Sequence, residues 1–208
     1  MMTIQLFTAN TPNSQRVTIM LEELGLEYTQ RKIDIFAGEA KTADFLRINS
    51  NGLLPVIVDP QGPDQRPITL TQSWAICLYL AEKTGRFIAR DPVARLRVIE
   101  SLFQVAADVM MVHTTHNTLG RFVPEKVPSI IDYYEQRVVT ALQNLNRQLG
   151  ERDYLAGDLS VTDFAFYPIY NRRRELIDKH RNDFANLLRW GSQMDARPAC
   201  KRGVELTR

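Results

Sequence analysis

The residues best suited to chemistry stand close to the N-terminus, in the segment Thr11-Pro12-Asn13. Thr11 is a good helix N-cap, and Pro12 suits the first helical position because its missing N–H has no intrahelical partner there. A hydroxyl and an amide are therefore expected at the positive end of a helix dipole, where an anion such as a thiolate or a carboxylate is stabilised. The alternative interpretation is that Thr11 is only an N-cap and Asn13 only a first-turn residue.

The composition leaves few other candidates. The net charge of +2 is too small to indicate a nucleic-acid partner. The run Arg172-Arg173-Arg174 is either a phosphate-contacting patch or a solvated helix face. Cys77 and Cys200 are far apart in the chain and are expected to be reduced thiols without a catalytic role. The His, Cys, Asp and Glu residues show no metal-ligand spacing, so no metal is predicted.

The sequence has no pattern typical of a membrane protein or an exported one. No apolar stretch reaches the roughly 18 residues that a membrane span requires. The N-terminus lacks a basic start followed by a long apolar run, so no signal peptide is predicted. We therefore expect a cytoplasmic protein with no membrane partner.

Strands and helices must hold the Thr11 segment in place. The pattern predicts a strand over residues 3–7 before it and a helix after it that ends at Gly25. A second strand over 28–35 then gives a parallel pair with a crossover. The next predicted elements, in order, are a short irregular helix over 38–47, a strand over 53–59, an antiparallel return strand over 68–70 and a helix over 72–83.

This order of elements is that of a thioredoxin-like domain with a four-stranded mixed sheet. The usual redox-active version has Cys-x-x-Cys at the start of the first helix. Thr11-Pro12-Asn13-Ser14 occupies that place here, so any reactive sulfur must come from a ligand.

The remainder of the chain is predicted to be entirely helical. Asp91-Pro92 opens a long helix, an amphipathic helix ends at Gly150, and residues 160–163 form an N-capping pattern. The sequence therefore predicts an α+β protein with a thioredoxin-like domain over residues 1–84 and an all-helical C-terminal domain over residues 90–208.

The sequence motifs resemble those of the cytosolic glutathione transferases (glutathione S-transferases) over the whole chain. They are, in chain order, Thr11-Pro12-Asn13, Leu21-Glu22-Glu23-Leu24-Gly25-Leu26, Asn49-x-x-Gly52-x-Leu54-Pro55, Gln72-Ser73-x-Ala75-Ile76 with Tyr79-Leu80, and Ser160-x-x-Asp163. The Thr-Pro-Asn start is most similar to the bacterial nu-class branch and its fungal relatives, which are linked to glutathione-dependent disulfide reduction as well as conjugation. The resemblance also implies a homodimer.

The resemblance implies that Thr11 and Asn13 are the catalytic residues. Glutathione is an anionic tripeptide whose thiol must lose its proton to react near neutral pH. Hydrogen bonds from the Thr11 hydroxyl and from the Asn13 amide to the sulfur would favour the thiolate.

Two further motifs are implied to bind the rest of glutathione. The backbone of Leu54, placed by Pro55, would pair with the cysteinyl part of glutathione as an added strand. Gln72 and Ser73 would hold the γ-glutamyl end at a second helix N-terminus. Taken without the resemblance, Pro55 only begins a strand and Gln72-Ser73 is only a helix cap.

The glycyl end of glutathione has fewer matching residues. Leu53 stands where relatives often have Lys, and Ala40 stands where nu-like members often have Gln or His. Either Lys41 substitutes for these contacts, or the glycyl end is held loosely.

The resemblance also places an acceptor site between the domains, facing a helix with Met110, His113 and Thr114. Methionines form an adaptable lining for apolar substrates, although at helical spacing they are more often core residues. His113 or His116 could act as a base, although a histidine that is hydrogen-bonded or faces solvent is commoner.

Two classes of function remain open on the sequence. The first is a glutathione transferase that conjugates glutathione to a small electrophile, with disulfide-bond reduction as the close second and peroxide reduction as a further option. The second is a non-catalytic module that keeps the fold for binding or assembly. A cis Leu54–Pro55 peptide bond is compatible with the sequence but not determined by it.

Overall fold

The computed structural model of the protein describes residues 3–208, and the chain forms two compact units. The first unit contains the described residues up to Ile88 together with Arg197–Arg208, and the second contains Ala89–Ala196. The sequence predicted an all-helical domain over residues 90–208. The structure differs in the C-terminal segment, which belongs to the first unit.

A four-stranded mixed sheet forms the centre of the first unit, as predicted. The strands are β1 (Ile4–Thr8), β2 (Tyr28–Lys32), β3 (Val56–Asp59) and β4 (Ile68–Leu70), in the spatial order β2-β1-β3-β4. The pair β1–β2 is parallel, whereas β1–β3 and β3–β4 are antiparallel. The helices of this unit are α1 (Pro12–Leu24), α2 (Ala43–Ile48), α3 (Ser73–Thr84) and α10 (Pro198–Glu205).

The second unit is helical, which confirms the predicted fold class. Its helices are α4 (Pro92–Gln104), α5 (Met110–Arg121), α6 (Pro128–Glu151), α7 (Val161–Arg172), α8 (Arg174–Lys179) and α9 (Ala185–Asp195). The Asp91 carboxylate caps α4 by accepting a hydrogen bond from the Ala94 N–H at 2.8 Å. The single long helix predicted here is interrupted by a π-helical turn at Val105–Val109, which joins α4 to α5.

Two strands are shorter than the sequence predicted. Strand β2 ends at Lys32 rather than at residue 35, because the Asp34 carboxylate accepts hydrogen bonds from the N–H groups of Phe36 and Ala37 and turns the chain. Strand β3 begins at Val56 rather than at residue 53, because Pro55 has no N–H to donate to the sheet. The Leu54–Pro55 peptide bond is cis.

Helix α10 was not predicted, and it explains an unfavourable feature of α1. Glu22 and Glu23 lie in the last turn of α1, where the helix dipole is negative. Arg197 donates two hydrogen bonds of 2.7 Å to Glu23, and Arg202 donates one of 2.8 Å to Glu22. The C-terminal helix thus neutralises these carboxylates while it packs along α1.

A buried carboxylate organises the second unit at the start of α7. Asp163 Oδ1 accepts hydrogen bonds from the Leu155 N–H at 3.0 Å and the Trp190 Nε1–H at 2.9 Å. Asp163 Oδ2 accepts one from the Ser160 N–H at 2.9 Å, and this contact completes the predicted capping box. One side chain therefore joins the N-terminus of α7 to α9 and to the segment before α7.

Replacing this carboxylate should be costly. Asp163→Ala would leave the buried donors of Leu155, Ser160 and Trp190 without their acceptor, and each such loss costs about 1–3 kcal/mol. We expect the free energy of unfolding in urea to fall by at least about 3 kcal/mol. Asp153→Ala, which removes an exposed partner of Arg189, is the control and should cost less than about 1 kcal/mol. Equal losses in the two variants would contradict this assignment.

Candidate active site

The Thr11 side chain forms the N-cap of α1. Its Oγ1 accepts a hydrogen bond from the Ser14 N–H at 3.2 Å and donates to Ser14 Oγ at 3.3 Å. Ser14 Oγ in turn accepts from the Ala9 N–H at 3.1 Å, which ties the end of the loop to the helix. Thr11 is therefore the N-cap of α1, and its hydroxyl must rotate away from Ser14 to donate to a ligand.

Asn13 lies in the first turn of α1 and is half-buried. Its Oδ1 accepts a hydrogen bond of 2.6 Å from Arg16 Nη1. Because the oxygen faces the guanidinium, the Nδ2 group of the same amide is directed away from it. A donor with a fixed direction thus stands at the N-terminus of α1.

Ser73 occupies the corresponding place at the start of α3. It is buried, and its Oγ accepts a hydrogen bond of 2.8 Å from the same Arg16 Nη1. Gln72, the N-cap residue before it, is exposed and makes no side-chain capping bond. One guanidinium nitrogen therefore joins the first turns of two helices.

None of the predicted site residues was Arg16. It is fully buried and stacks on the indole of Trp74, with 3.9 Å from Cζ to the ring centroid. Burial lowers the pKa of Arg16 to about 10, so the guanidinium remains charged at neutral pH. Its position four residues before Met20, on the apolar face of α1, was the available sequence signal.

The Cys77 thiol lies beside this cluster and is buried. Cys77 is fully buried on α3, and its Sγ–H donates to the Arg16 carbonyl oxygen at 3.6 Å. Burial raises the pKa of the Cys77 thiol to about 12, so it stays protonated at physiological pH. The cluster therefore has a positive charge and two helix N-termini, and Cys77 does not supply a thiolate to it.

The segment before β3 lies at the same end of the sheet as the start of α1. Val56 pairs with Phe7 near the end of β1, so the residues that precede Val56 lie beside those that follow β1. Asn49 holds this segment by donating from Nδ2 to the Leu53 carbonyl oxygen at 2.7 Å. The predicted Leu54–Pro55 element is thereby placed close to the Thr11 segment.

The residues predicted at the glycyl end have different environments. Lys41 is exposed, and its Nζ donates to the Asn51 carbonyl oxygen at 3.0 Å. Ala40 is buried with Phe45 in a small apolar cluster, so it packs rather than presents a polar group. The Leu53 side chain is 59% exposed. Lys41 is thus the one polar side chain among the three.

The predicted acceptor residues lie on α5 of the second unit and differ in exposure. Met110 is partly buried, His113 is buried and Thr114 is exposed. His113 Nδ1 accepts a hydrogen bond from Arg173 Nε at 2.9 Å, so this histidine is hydrogen-bonded within its own unit. Arg173 also donates to the His113 carbonyl oxygen at 3.0 Å.

The basic run at the end of α7 makes internal contacts. Arg173 binds His113, and Arg174 donates to Asn171 and to Asp195 at 2.5 Å. Burial lowers the pKa of Arg173. Only Arg172 of the run is exposed, so these contacts do not support a phosphate-contacting patch.

Across residues 3–208, no group of three or more His, Cys, Asp and Glu side chains is arranged to hold a metal ion. In the same described part of the chain, every helix is too short or too polar to cross a membrane.

The fold and the site together define a thioredoxin-like domain, with two helix N-termini joined at one cluster, in a chain that also has an all-helical unit. The family model "Glutathione S-transferase, N-terminal domain" matches residues 11–83. The Escherichia coli protein "Disulfide-bond oxidoreductase YfcG" is 34% identical over 200 residues, which cover 94% of this chain and 92% of that protein. The chain therefore belongs to the glutathione S-transferase family.

Solved structures agree with this assignment. A glutathione transferase from Pseudomonas putida superposes with a TM-score of 0.91 at 28% identity, covers 100% of this chain and 93% of its own, and was solved with one glutathione disulfide bound per subunit. One from Burkholderia graminis has a TM-score of 0.88 at 32% identity, covers 98% of this chain and 88% of its own, and holds two glutathione molecules per subunit.

The capping role of Thr11 can be measured separately from any catalysis. Thr11→Ala removes the acceptor for the Ser14 N–H and should lower the free energy of unfolding by about 1 kcal/mol. Thr11→Ser keeps a hydroxyl at the same place and should cost only a few tenths of that amount. Urea unfolding of the wild type and of the two variants measures both losses. A Thr11→Ala protein as stable as the wild type would show that the cap contributes nothing.

Proposed function

We propose that this protein is an enzyme that binds glutathione as the thiolate and conjugates it, through its sulfur, to a small electrophile. The observation on which this proposal rests is the hydrogen bond between Asn13 Oδ1 and Arg16. It leaves the amide N–H₂ of Asn13 as a directed donor at the N-terminus of α1. A donor and a helix dipole that favour the charged sulfur lower the pKa of a thiol.

The rest of glutathione is proposed to bind along the same end of the sheet. The γ-glutamyl carboxylate would accept hydrogen bonds from the Ser73 hydroxyl and N–H, and Gln72 would contact the amine. The backbone of Leu54 would pair with the cysteinyl part, with Pro55 setting the direction of the chain. Lys41 would approach the glycyl carboxylate, since its ammonium has donors beyond the one given to Asn51.

In conjugation, the thiolate sulfur attacks an electrophilic carbon, a carbon–sulfur bond forms and the leaving group departs with its electron pair. Asn13 would hold the sulfur in its charged form until the attack, and Thr11 would add a second donor after rotating away from Ser14. Met110 and Thr114 are proposed to line the acceptor site, with His113 held in position by Arg173. With a peroxide, the same thiolate would attack one oxygen, the O–O bond would break, and an alcohol would leave after taking up a proton. The resulting sulfenic acid of glutathione would react with a second glutathione to give glutathione disulfide and water.

Disulfide-bond reduction is the second candidate function, and the relatives favour it. YfcG is named a disulfide-bond oxidoreductase, and the Pseudomonas putida structure holds glutathione disulfide. The glutathione thiolate would attack one sulfur of a disulfide, forming a mixed disulfide and releasing a thiolate that takes up a proton. A second glutathione would then attack the mixed disulfide and yield glutathione disulfide and the second thiol. The raised pKa of Cys77 favours a route through two glutathione molecules over one through that thiol.

We further propose that the protein is a nu-class homodimer. Three large apolar side chains lie on one face of α4 and are exposed by 66%, 63% and 64%; they are Val93, Leu96 and Phe103. A second copy of the chain would cover this face. A cytoplasmic location is proposed as well, since glutathione is kept reduced in the cytosol.

The first test concerns Asn13. In Asn13→Ala the sulfur loses its directed donor, so the turnover number with a model electrophile should fall about 100-fold. The pH at which the rate is half-maximal should rise. Asn10→Ala, which removes an exposed amide of the preceding loop, is the matched control and should change the rate by less than about threefold.

Calorimetry with reduced glutathione separates the enzyme from the non-catalytic module. Binding to the wild-type chain supports the enzyme, whereas the absence of binding would exclude both proposed reactions. If glutathione binds and the rate of Asn13→Ala equals that of the wild type, the site assignment is wrong although the family stands.

The second test concerns the dimer. Leu96→Glu places a carboxylate at the centre of the exposed face of α4 and should convert the dimer into monomers, as measured by light scattering during size-exclusion chromatography. Ile130→Glu alters an exposed apolar residue of α6 and should leave the mass unchanged. A wild-type monomer would contradict the proposed dimer, and a dimeric Leu96→Glu variant would place the interface elsewhere.

A further inference from the structure

Arg16 contacts both ends of the proposed glutathione site. Its Nη1 lies 2.6 Å from Asn13 Oδ1 and 2.8 Å from Ser73 Oγ. The guanidinium is fully buried and is further held by stacking on Trp74. These contacts hold the guanidinium in one orientation. The positions of Asn13 Oδ1 and Ser73 Oγ are fixed by their hydrogen bonds to it.

The Asn13 amide and the Ser73 hydroxyl can each both donate and accept hydrogen bonds. The Asn13 amide has an oxygen that only accepts and a nitrogen that only donates, so a half-turn of the amide would exchange a donor for an acceptor beside the sulfur. An Nη1–H donor can be satisfied by the oxygen alone. The Ser73 hydroxyl accepts from the same nitrogen, which leaves its own hydrogen to donate.

We infer that Arg16 is a positioning residue that aims the Asn13 amide nitrogen at the glutathione sulfur and the Ser73 hydroxyl at the γ-glutamyl carboxylate. The inference rests on the proposed function, because it specifies how the thiolate donor is oriented. It differs from a purely structural role, in which Arg16 would fill space under Trp74 and affect stability alone.

The readout is the pH at which half of the bound glutathione is thiolate, followed by the ultraviolet absorbance of the thiolate. Arg16→Met, which keeps a long side chain without donors or charge, should raise this midpoint by about one pH unit. In the Asn13→Ala background, where the amide is already absent, the same substitution should raise it by less than half as much. An equal rise in both backgrounds, or no rise in either, would overturn the inference.

Stability must be separated from positioning because Arg16 is buried. Val17→Ala removes buried methyl groups from the same helix and serves as the matched control; it should lower the unfolding temperature and leave the midpoint unchanged. Arg16→Lys retains a charge and a donor, and it should restore most of the wild-type midpoint. A midpoint as high as that of Arg16→Met would contradict this.

A second variant keeps the inference testable if Arg16→Met does not fold. Asn13→Asp retains an oxygen for Arg16 and adds an ion pair, so it should unfold at a temperature no lower than the wild type. It lacks the N–H₂ donor, so its midpoint should rise at least as far as that of Asn13→Ala. A less stable Asn13→Asp protein would show that Arg16 does not engage this side chain. A wild-type midpoint equal to that of free glutathione would instead disprove the proposed function itself.

Discussion

A buried positive charge shared between two helix N-termini is the interaction on which the rest of the site depends. Arg16 contacts Asn13 on α1 and Ser73 on α3 through one nitrogen, and its guanidinium stacks on the Trp74 indole. An isolated cation in such a place would be costly, and these contacts offset its desolvation. The same burial keeps Cys77 protonated, so the sulfur that reacts is proposed to come from glutathione.

The position of α1 is in turn fixed from the far end of the sequence. Glu22 and Glu23 would oppose the dipole of α1 if the first domain ended near residue 84. Arg197 and Arg202 pair with them, and α10 packs along the same helix although the helical unit separates the two in sequence. Gly203 is required there, because a Cβ would lie 2.6 Å from Ile19 Cα.

The features that the sequence predicted correctly are those that local rules control. The cap at Thr11, the end of α1 at Gly25 and the capping box at Asp163 each depend on a few neighbouring residues. The contacts of Arg16 with Ser73 and of Arg197 with Glu23 join residues far apart in the chain, so no local pattern reveals them. The resemblance predicted Asn13 and Ser73 as site residues, but the buried side chain that contacts both is visible only in the structure.

The most direct test is a crystal structure of the protein with reduced glutathione. The sulfur is predicted to lie within hydrogen-bonding distance of Asn13 Nδ2 at the start of α1, with the γ-glutamyl carboxylate at the N-terminus of α3 beside Ser73. Asn13 Oδ1 should keep its contact with Arg16. A sulfur bound out of reach of both Asn13 and Thr11, or an Asn13 amide turned away from Arg16, would contradict the central claim.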